Sequence, residues 1–452
     1  MNNWQDAEQF ADRALEMYER GKWADAEVEL RKALEIDPDQ GDWHFNLGLT
    51  LERVGRDAES LSSFEQASRL LEDAIDPQLA AGAACLRLSR FDDAVIWLNK
   101  VLQIDPKVEP AWAMLVDAYA SNENHDEAET AFYMAQDALN EQSANVLVAM
   151  SGSLLSRGLA ERAVWCATEA MKKDPEVHGG RLRLAGGLVV TGQNQRASQI
   201  LLQELREDPG SIQALLLHAD VLADTGKINE ALICLHRVLE LEPANIDAHI
   251  RAGSLAMHGG RNEEAYIAWG LVRRLDPNHQ TASLRLAQTL LAMNRPVAAR
   301  PHLQEYLEKM SDSASCEEKI DVAELLLASG EPTVCAALLE TLRDSLHEDD
   351  PNKIKCLRVL AVSLFESDKI DEGAGVSRKV LRMDPNCIAS MHNLALASVK
   401  NNRYRSAWGW VRRGLAQDPL DNDLRRLRSK FIWESISKFF GQLTSKIIGK
   451  RI

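Results

Sequence analysis

The sequence predicts an all-α solenoid of about twelve stacked helix-turn-helix units. The first observation is a regular spacing of prolines. Two runs of prolines are spaced by 34 residues: Pro175, Pro209, Pro243 and Pro277 in one, and Pro351, Pro385 and Pro419 in the other. Twice that interval, 68 residues, separates Pro38 from Pro106. A fixed period of this size is typical of stacked repeats rather than of a globular enzyme core.

Within each period the apolar residues form two blocks with helical spacing. The unit that begins at Glu109 shows them on either side of a polar turn at residues 122–124: Trp112, Leu115 and Tyr119, then Ala128, Phe132 and Ala135. Intervals of three and four residues place each block on one face of a helix. Each period is therefore expected to be a helix, a short turn and a second helix.

The third observation is a small residue early in each second helix. Nine units have alanine there: Ala26, Ala94, Ala128, Ala163, Ala197, Ala231, Ala265, Ala299 and Ala407. An alanine in register in so many units indicates that paired helices approach each other closely at this position.

These units resemble the tetratricopeptide repeat, whose pattern includes a Leu-Gly pair, aromatic residues, small residues and a closing proline. The second unit has Leu47-Gly48 and Phe64, and the eighth has Gly253 and Trp269. The resemblance implies a right-handed superhelix over residues 1–421. Its repeats are expected to begin near Ala7, Gly41, Ile75, Glu109, Ala144, His178, Ile212, Ile246, Gln280, Cys316, Ile354 and Ile388. Residues 310–315 lie at a longer connection, which is either a lengthened turn or a seam in the solenoid.

Composition and motifs argue against an enzyme. Hydrophobic residues make up 45% and charged residues 27% of the chain, so each unit can bury one face and keep another in water. No phosphate-binding glycine loop, recurring metal-ligand spacing or cysteine pair is present, so no cofactor, metal or disulfide is predicted. The chain begins without a signal peptide and has no long apolar span, which predicts a cytoplasmic protein.

The resemblance places a binding surface on the inner wall, which the first helix of each repeat lines. The fifth position of the repeats is mostly apolar: Phe45, Leu79, Val148, Leu182, Leu216, Ile250, Leu284 and Ile320. An apolar stripe in a groove suits an amphipathic or extended peptide. The alternative is that neighbouring helices partly cover these side chains.

The sixth position adds polar candidates to this groove. They are Asn46, Arg183, Arg251 and Arg285. Guanidinium groups form forked hydrogen bonds with carboxylates, so an acidic peptide segment is a second candidate ligand. The alternative is that each arginine pairs with a nearby acid, and Asp220, Asp247 and Glu324 are the candidates for that pairing.

Residues 422–452 are predicted to form a basic amphipathic helix. They carry eight Lys or Arg and two acids, net +6, against a chain total of −16. Leu420, Leu424, Leu427 and Phe431 form one face, expected to cap the solenoid. A second face, nearly opposite, is a candidate interaction surface of Ile432, Trp433, Ile436, Phe439, Phe440, Leu443 and Ile447. It is expected to meet another part of this chain, a second copy, a membrane surface or a groove on a partner.

The sequence therefore predicts an interaction scaffold or adaptor that binds a peptide or helical segment of another protein. The alternatives are a peripheral membrane protein held by its tail and a non-catalytic regulatory subunit of a separate enzyme. Nucleic acid is not an expected partner, because an acidic body repels phosphate backbones.

Overall fold

The computed structural model describes residues 2–311, 314–347 and 350–430. These residues form helices joined by short turns, and no strand occurs among them. This confirms the predicted all-α fold class. The chain divides into two compact units, unit 1 (Met1–Leu241) and unit 2 (Glu242–Ile452).

Unit 1 consists of helices that pair in chain order, each odd-numbered first helix with the even-numbered second helix that follows it. The helices are α1 (Asn2–Glu19), α2 (Trp23–Ile36), α3 (Gly41–Arg53), α4 (Asp57–Leu70), α5 (Ile75–Arg87), α6 (Phe91–Ile104), α7 (Glu109–Ser121), α8 (His125–Leu139), α9 (Ala144–Ser156), α10 (Ala160–Lys173), α11 (Gly180–Val190), α12 (Asn194–Glu207), α13 (Ile212–Asp224) and α14 (Ile228–Leu241). The short turn inside each pair makes its two helices antiparallel neighbours.

Unit 2 continues the same pairing. Its helices are α15 (Ile246–His258), α16 (Asn262–Leu275), α17 (Ala282–Ala292), α18 (Pro296–Lys309), α19 (Cys316–Ala328), α20 (Pro332–Ser345), α21 (Pro351–Glu366), α22 (Ile370–Met383), α23 (Ile388–Lys400) and α24 (Tyr404–Gln417). Residues 422–430 are also helical.

Each hairpin turn contains one residue in the left-handed conformation. Within the described chain these residues are Gly21, Gly55, Ser89, Glu123, Gly158, Gly192, Gly226, Gly260, Asn294, Gly330, Asp368 and Asn402. At Gly226, for example, φ is 78°, and the next amide, Lys227 N–H, donates to the Leu222 carbonyl at 2.8 Å. This bond closes the helix end and reverses the chain.

The turns between hairpins explain the proline spacing. In eight of them the aspartate before the proline accepts a hydrogen bond from the backbone N–H two residues later: Asp37, Asp105, Asp174, Asp208, Asp276, Asp350, Asp384 and Asp418. Proline fixes φ at the next position, so the two residues together specify the turn. At one such turn the Trp112 indole N–H donates to the Pro106 carbonyl at 2.8 Å and holds the incoming first helix.

Small residues lie where the two helices of a hairpin touch. All nine alanines of the second-helix register are fully buried. On the facing first helix, a Cβ at Gly253 would lie 2.8 Å from the Trp269 indole nitrogen, and Gly48 lies against Phe64 in the same way. Glycine is required at both positions because the helix pair is packed too closely for a side chain.

Within each unit, first helices also pack on the first helix of the next hairpin. In unit 1, α7 contacts both α5 and α9, and α11 contacts α13; in unit 2, α19 contacts α17 and α21. The first helices from α5 to α13 in unit 1, and from α17 to α23 in unit 2, therefore each form a row. We call the solvent-facing surface of the first helices of a unit its first-helix face, and the surface formed by the even-numbered helices its second-helix face.

The connection at residues 310–315 joins α18 to α19 inside unit 2, and residues 312 and 313 lie outside the described chain. Leu303 and Tyr306 on one side and Ile320 and Leu326 on the other belong to one cluster of buried side chains. The Tyr306 hydroxyl also donates to the Glu318 carboxylate across the connection. The predicted limits of the solenoid and of the tail remain predictions.

The segment after α24 fits the predicted capping face only in part. Leu424 is fully buried against Ala395 and Val411, and Leu427 packs at the edge of that cluster. Leu420 is 72% exposed, so its assignment to this face is wrong: it lies in the turn before the helical segment, outside the packed face. Phe431 and the predicted interaction face from Ile432 to Ile447 lie outside the described residues.

Candidate functional site

The fifth-position side chains are divided between core and surface. Six are half-buried: Phe45, Leu79, Leu182, Leu216, Ile250 and Leu284. The other two are buried, Val148 at 9% and Ile320 at 0% exposure, so they are not available to a ligand. All eight fifth-position side chains are therefore at least partly covered, as in the alternative interpretation of this stripe.

The half-buried members contribute to the core of their own unit. Phe45 and Leu79 pack against one buried cluster of unit 1 and Leu182 against another. The Phe45 ring centroid lies 5.7 Å from that of Phe64. In unit 2, Ile250 and Leu284 each pack against a separate cluster. The exposed parts of these side chains are spaced one per first helix.

Two of the sixth-position arginines each donate a hydrogen bond to a group on their own helix. Arg251 donates to the Asp247 backbone carbonyl at 3.5 Å, and Arg285 donates to the Gln288 side-chain oxygen at 3.0 Å. Asn46 is half-buried on α3, where its backbone carbonyl accepts from Thr50 at 2.8 Å.

Arg183 interacts electrostatically with an acid, Asp117, that sequence reasoning did not single out. Its guanidinium lies over Gly152, where a Cβ would be 3.0 Å from the guanidinium carbon. Asp117 is half-buried nearby. Burial raises the pKa of the Asp117 carboxyl, and the charge of Arg183 opposes that shift. In the described part of the chain no ion pair within 4.0 Å joins the two groups.

We call Asp117, Gly152 and Arg183 the α7–α9–α11 site. Its members come from three successive first helices, so it is a feature of the first-helix face of unit 1. The sequence contained a signal for this site. Counted from the repeat starts at Glu109 and Ala144, Asp117 and Gly152 both occupy the ninth position of their repeats, which the resemblance places on the inner wall. The half-buried carboxylate accepts hydrogen bonds and the exposed guanidinium donates them.

A buried polar cluster in unit 1 resembles a catalytic arrangement but lacks its charges. His218 is 7% exposed, with the Ser198 hydroxyl 3.0 Å from Nε2 and the Cys234 sulfur 3.8 Å from Nδ1. Burial lowers the pKa of His218 and raises that of Cys234. Both shifts favour the neutral forms, so the cluster holds hydrogen bonds and not a thiolate–imidazolium pair.

The cysteines and the carboxylates do not form a metal centre in the described residues, where no group of three or more potential ligands converges. The seven cysteines are free thiols. Burial raises the pKa of Cys85, Cys166, Cys335 and Cys356 to about 11. Among the described helices, none combines the length and the apolar character needed to cross a membrane.

Two family models match parts of the chain. A TPR repeat model matches residues 14–55, and a tetratricopeptide repeat model matches residues 216–272. No curated protein matches the chain.

Several proteins of known structure align with parts or most of the chain. A tetratricopeptide repeat protein from Parabacteroides merdae covers 56% of this chain and 99% of its own, at 18% identity and a TM-score of 0.49. Yeast Tom70 covers 99% of this chain and 98% of its own, at 16% identity and a TM-score of 0.36. The Cut9–Hcn1 hetero-tetramer of the APC/C covers 94% of this chain and 96% of its own, at 14% identity and a TM-score of 0.36.

The assignment rests on the two family models and on the hairpins themselves, each with its left-handed turn residue and its small residues at the helix contact. The chain is a member of the tetratricopeptide repeat proteins.

Proposed function

We propose that this protein is an interaction scaffold that binds an extended segment of another protein on the first-helix face of unit 1. Tetratricopeptide repeat proteins are generally non-catalytic scaffolds, and function on such a fold must be argued from a specific site. The observation that carries the proposal is the α7–α9–α11 site, where the Arg183 guanidinium lies against Gly152 and interacts electrostatically with the half-buried Asp117 carboxylate without an ion pair within 4.0 Å.

The chemistry of the site favours a neutral peptide group as the ligand. A main-chain N–H would donate to Asp117, and a main-chain carbonyl would accept from Arg183. A carboxylate ligand at Arg183 would be brought close to the Asp117 charge, which is unfavourable in a half-buried position. We therefore favour an extended polypeptide over an acidic side chain at this site.

Two leucines near the polar groups would provide apolar contacts for the ligand. Leu182 precedes Arg183 on α11, and Leu216 occupies the same repeat position on α13. Both are half-buried, so each offers apolar surface beside the polar pair. An extended segment with one or two apolar side chains would contact the leucines while its backbone meets the polar groups.

In unit 2, Arg251 and Arg285 remain candidates for an acidic segment. Arg285 already contacts a neutral amide, so a carboxylate ligand would replace a weaker hydrogen bond with a charge-assisted one. Changing both arginines to glutamate should remove an acidic partner and leave the helical circular dichroism signal unchanged. Retention of every partner by that variant would exclude this mode.

A matched pair of glycine substitutions tests the α7–α9–α11 site. Gly152→Ala places a Cβ against the Arg183 guanidinium. Gly186→Ala makes the same change at the ninth position of the next first helix, where the nearest contact is Leu155 at an ordinary 3.6 Å. Both substitutions raise helix propensity, so a difference between them reports on the site.

The readout is recovery of partners by the full chain in affinity purification, quantified by mass spectrometry. We expect Gly152→Ala and Arg183→Gln to lose a partner that Gly186→Ala retains. A photo-cross-linking residue at position 183 should attach to that partner, whereas one at Gln199, exposed on the second helix α12, should not. Equal recovery by all variants, or cross-linking only from Gln199, would refute the proposal.

A further inference from the structure

Unit 1 has an open cavity of about 510 Å³ on its second-helix face. It lies between α6 and α8, two successive second helices, and α7 forms its floor. Leu102, Trp112 and Leu115 contribute buried apolar side chains to it, at 8%, 5% and 3% exposure. Met134 stands at its rim and is 55% exposed. This volume lies in the range of about 300–1,000 Å³ typical of ligand pockets.

The Trp112 indole on the floor of the cavity has no unused donor. The Trp112 indole N–H already donates to the Pro106 carbonyl at 2.8 Å. The rest of the ring offers only apolar surface to an occupant. The cavity therefore favours apolar side chains.

The lining of the cavity carries negative charge only. Its two acidic residues are Glu127 and Asp137, and no lysine or arginine lines it. Lys100, the next cation on α6, lies over the Trp97 ring at 4.1 Å, and Trp97 is not part of the lining. An occupant with apolar side chains flanked by cations would complement both the apolar floor and the negative charges at the rim.

The chain itself contains such a segment. Residues 431–452 include seven large apolar residues at helical spacing, among them Phe439, Phe440 and Leu443. The same residues carry four Lys or Arg and one Glu, net +3. An amphipathic helix that places its apolar side chains in a groove is a common mode of recognition. A helix of that length spans about 33 Å, so only a few of its side chains would enter the cavity.

We propose that the cavity between α6, α7 and α8 binds residues 431–452 of a second copy of this chain. Cavity and segment are different surfaces, so the contact is heterologous, and each copy offers one of each. The assembly would grow with concentration. This surface is distinct from the first-helix face, so the proposal stands or falls independently of the α7–α9–α11 site.

The test measures the mass of the full chain over a range of concentrations by sedimentation equilibrium. The monomer mass is 50.3 kDa, and we expect association above it that high salt weakens only in part, because apolar burial contributes together with the charges at the rim. Asp137→Lys inverts one rim charge and should weaken association at least tenfold. Asp126→Lys is the matched control: it makes the same charge change on α8, but at a side chain that is 91% exposed and outside the lining.

Two further measurements identify the occupant. Excess synthetic peptide of residues 431–452 should return the wild-type chain to monomer. Changing Lys438 and Lys446 to Glu in the full chain should weaken association, and combining this change with Asp137→Lys should restore it in part. Circular dichroism of each variant shows that the fold is retained.

Several outcomes would overturn the proposal. One is a full chain that stays monomeric at all concentrations. A second is association that Asp137→Lys and the peptide leave unchanged. A third is flotation with anionic vesicles that depends on residues 431–452, without any self-association, which would assign the segment to a membrane surface instead.

Discussion

Lys353 is a buried lysine whose ammonium group donates hydrogen bonds to the C-terminal end of a helix. We predict that its replacement lowers the stability of that helix end. The side chain is 4% exposed. From the first turn of α21 its ammonium donates to the Arg343 carbonyl at 2.6 Å and to the Leu346 carbonyl at 2.7 Å. Both carbonyls lie at the C-terminal end of α20, where a cation also interacts favourably with the helix dipole.

The expected cost of Lys353→Met follows from these two bonds. A hydrogen bond to a charged group contributes about 1.5–3 kcal/mol, and an unsatisfied buried carbonyl adds a penalty. Methionine keeps most of the aliphatic packing, so the loss is chiefly polar. Water can reach the less buried Arg343 carbonyl, so we expect a net destabilisation of about 2–4 kcal/mol.

Hydrogen exchange measured by mass spectrometry is the appropriate assay, because a repeat array opens locally and need not unfold in one step. A loss of that size corresponds to exchange roughly 30- to 1,000-fold faster in peptides from α20 and the first turn of α21. Peptides from unit 1 should be unaffected, since in a repeat array each hairpin contacts only its neighbours.

Lys355→Met is the matched control on the same helix. Lys355 pairs with Asp321 at 2.7 Å, but the two side chains are 42% and 57% exposed, so its loss should cost about 1 kcal/mol or less. Lys353→Arg, which keeps the charge, should recover part of the protection. Equal effects of Lys353→Met and Lys355→Met would refute the view that the buried ammonium ends α20.

Three further predictions concern turns, packing and pH. Glu123 has φ of 60°, so Glu123→Gly should relieve backbone strain and raise the urea midpoint by the equivalent of up to about 1 kcal/mol. Gly226→Ala introduces the same strain and should lower the midpoint by the equivalent of about 1–2 kcal/mol. The reverse order would show that the left-handed conformation is not strained in these turns. Gly253→Ala should cost about 1–3 kcal/mol in the same titration, since its Cβ would meet the Trp269 ring, and an unchanged midpoint would show that the ring moves aside. Burial and the neighbouring Arg273 lower the pKa of His302, so the folded state binds a proton at this residue less readily than the unfolded state. The contribution of His302 to stability is therefore complete above pH about 6.5 and decreases as the pH drops below that value. Urea titrations at pH 7 and pH 5 should show a smaller loss of stability between the two pH values for His302→Gln than for the wild type.

The sequence determined the hairpins because their signals are local. An aspartate before proline sets the turn between hairpins, and a glycine such as Gly226 supplies the left-handed residue inside one. Alanine in register marks the contact between the two helices of a pair. Each of these signals acts over a few residues or across one pair of helices, so a single pass along the chain finds it.

Only the tertiary structure decided which residues of the first-helix face a ligand could reach. Val148 and Phe45 share the same repeat position, yet Val148 is buried and Phe45 half-buried, because first helices of successive hairpins do not pack equally closely in unit 1. Asp117 and Arg183 come from hairpins two apart in the sequence and lie near each other only through that stacking. Helical periodicity specifies the face on which a side chain lies, but not the distance to the next hairpin.

The cavity on the second-helix face depends on the same geometry. Its apolar residues lie on α6, α7 and α8 with ordinary helical spacing, so no pattern in one helix distinguishes Met134 at the rim from a core residue. The sequence thus determined the repeating hairpin, whose contacts are short-range, while the proposed binding surfaces depend on distances between successive hairpins, which arise from packing and not from periodicity.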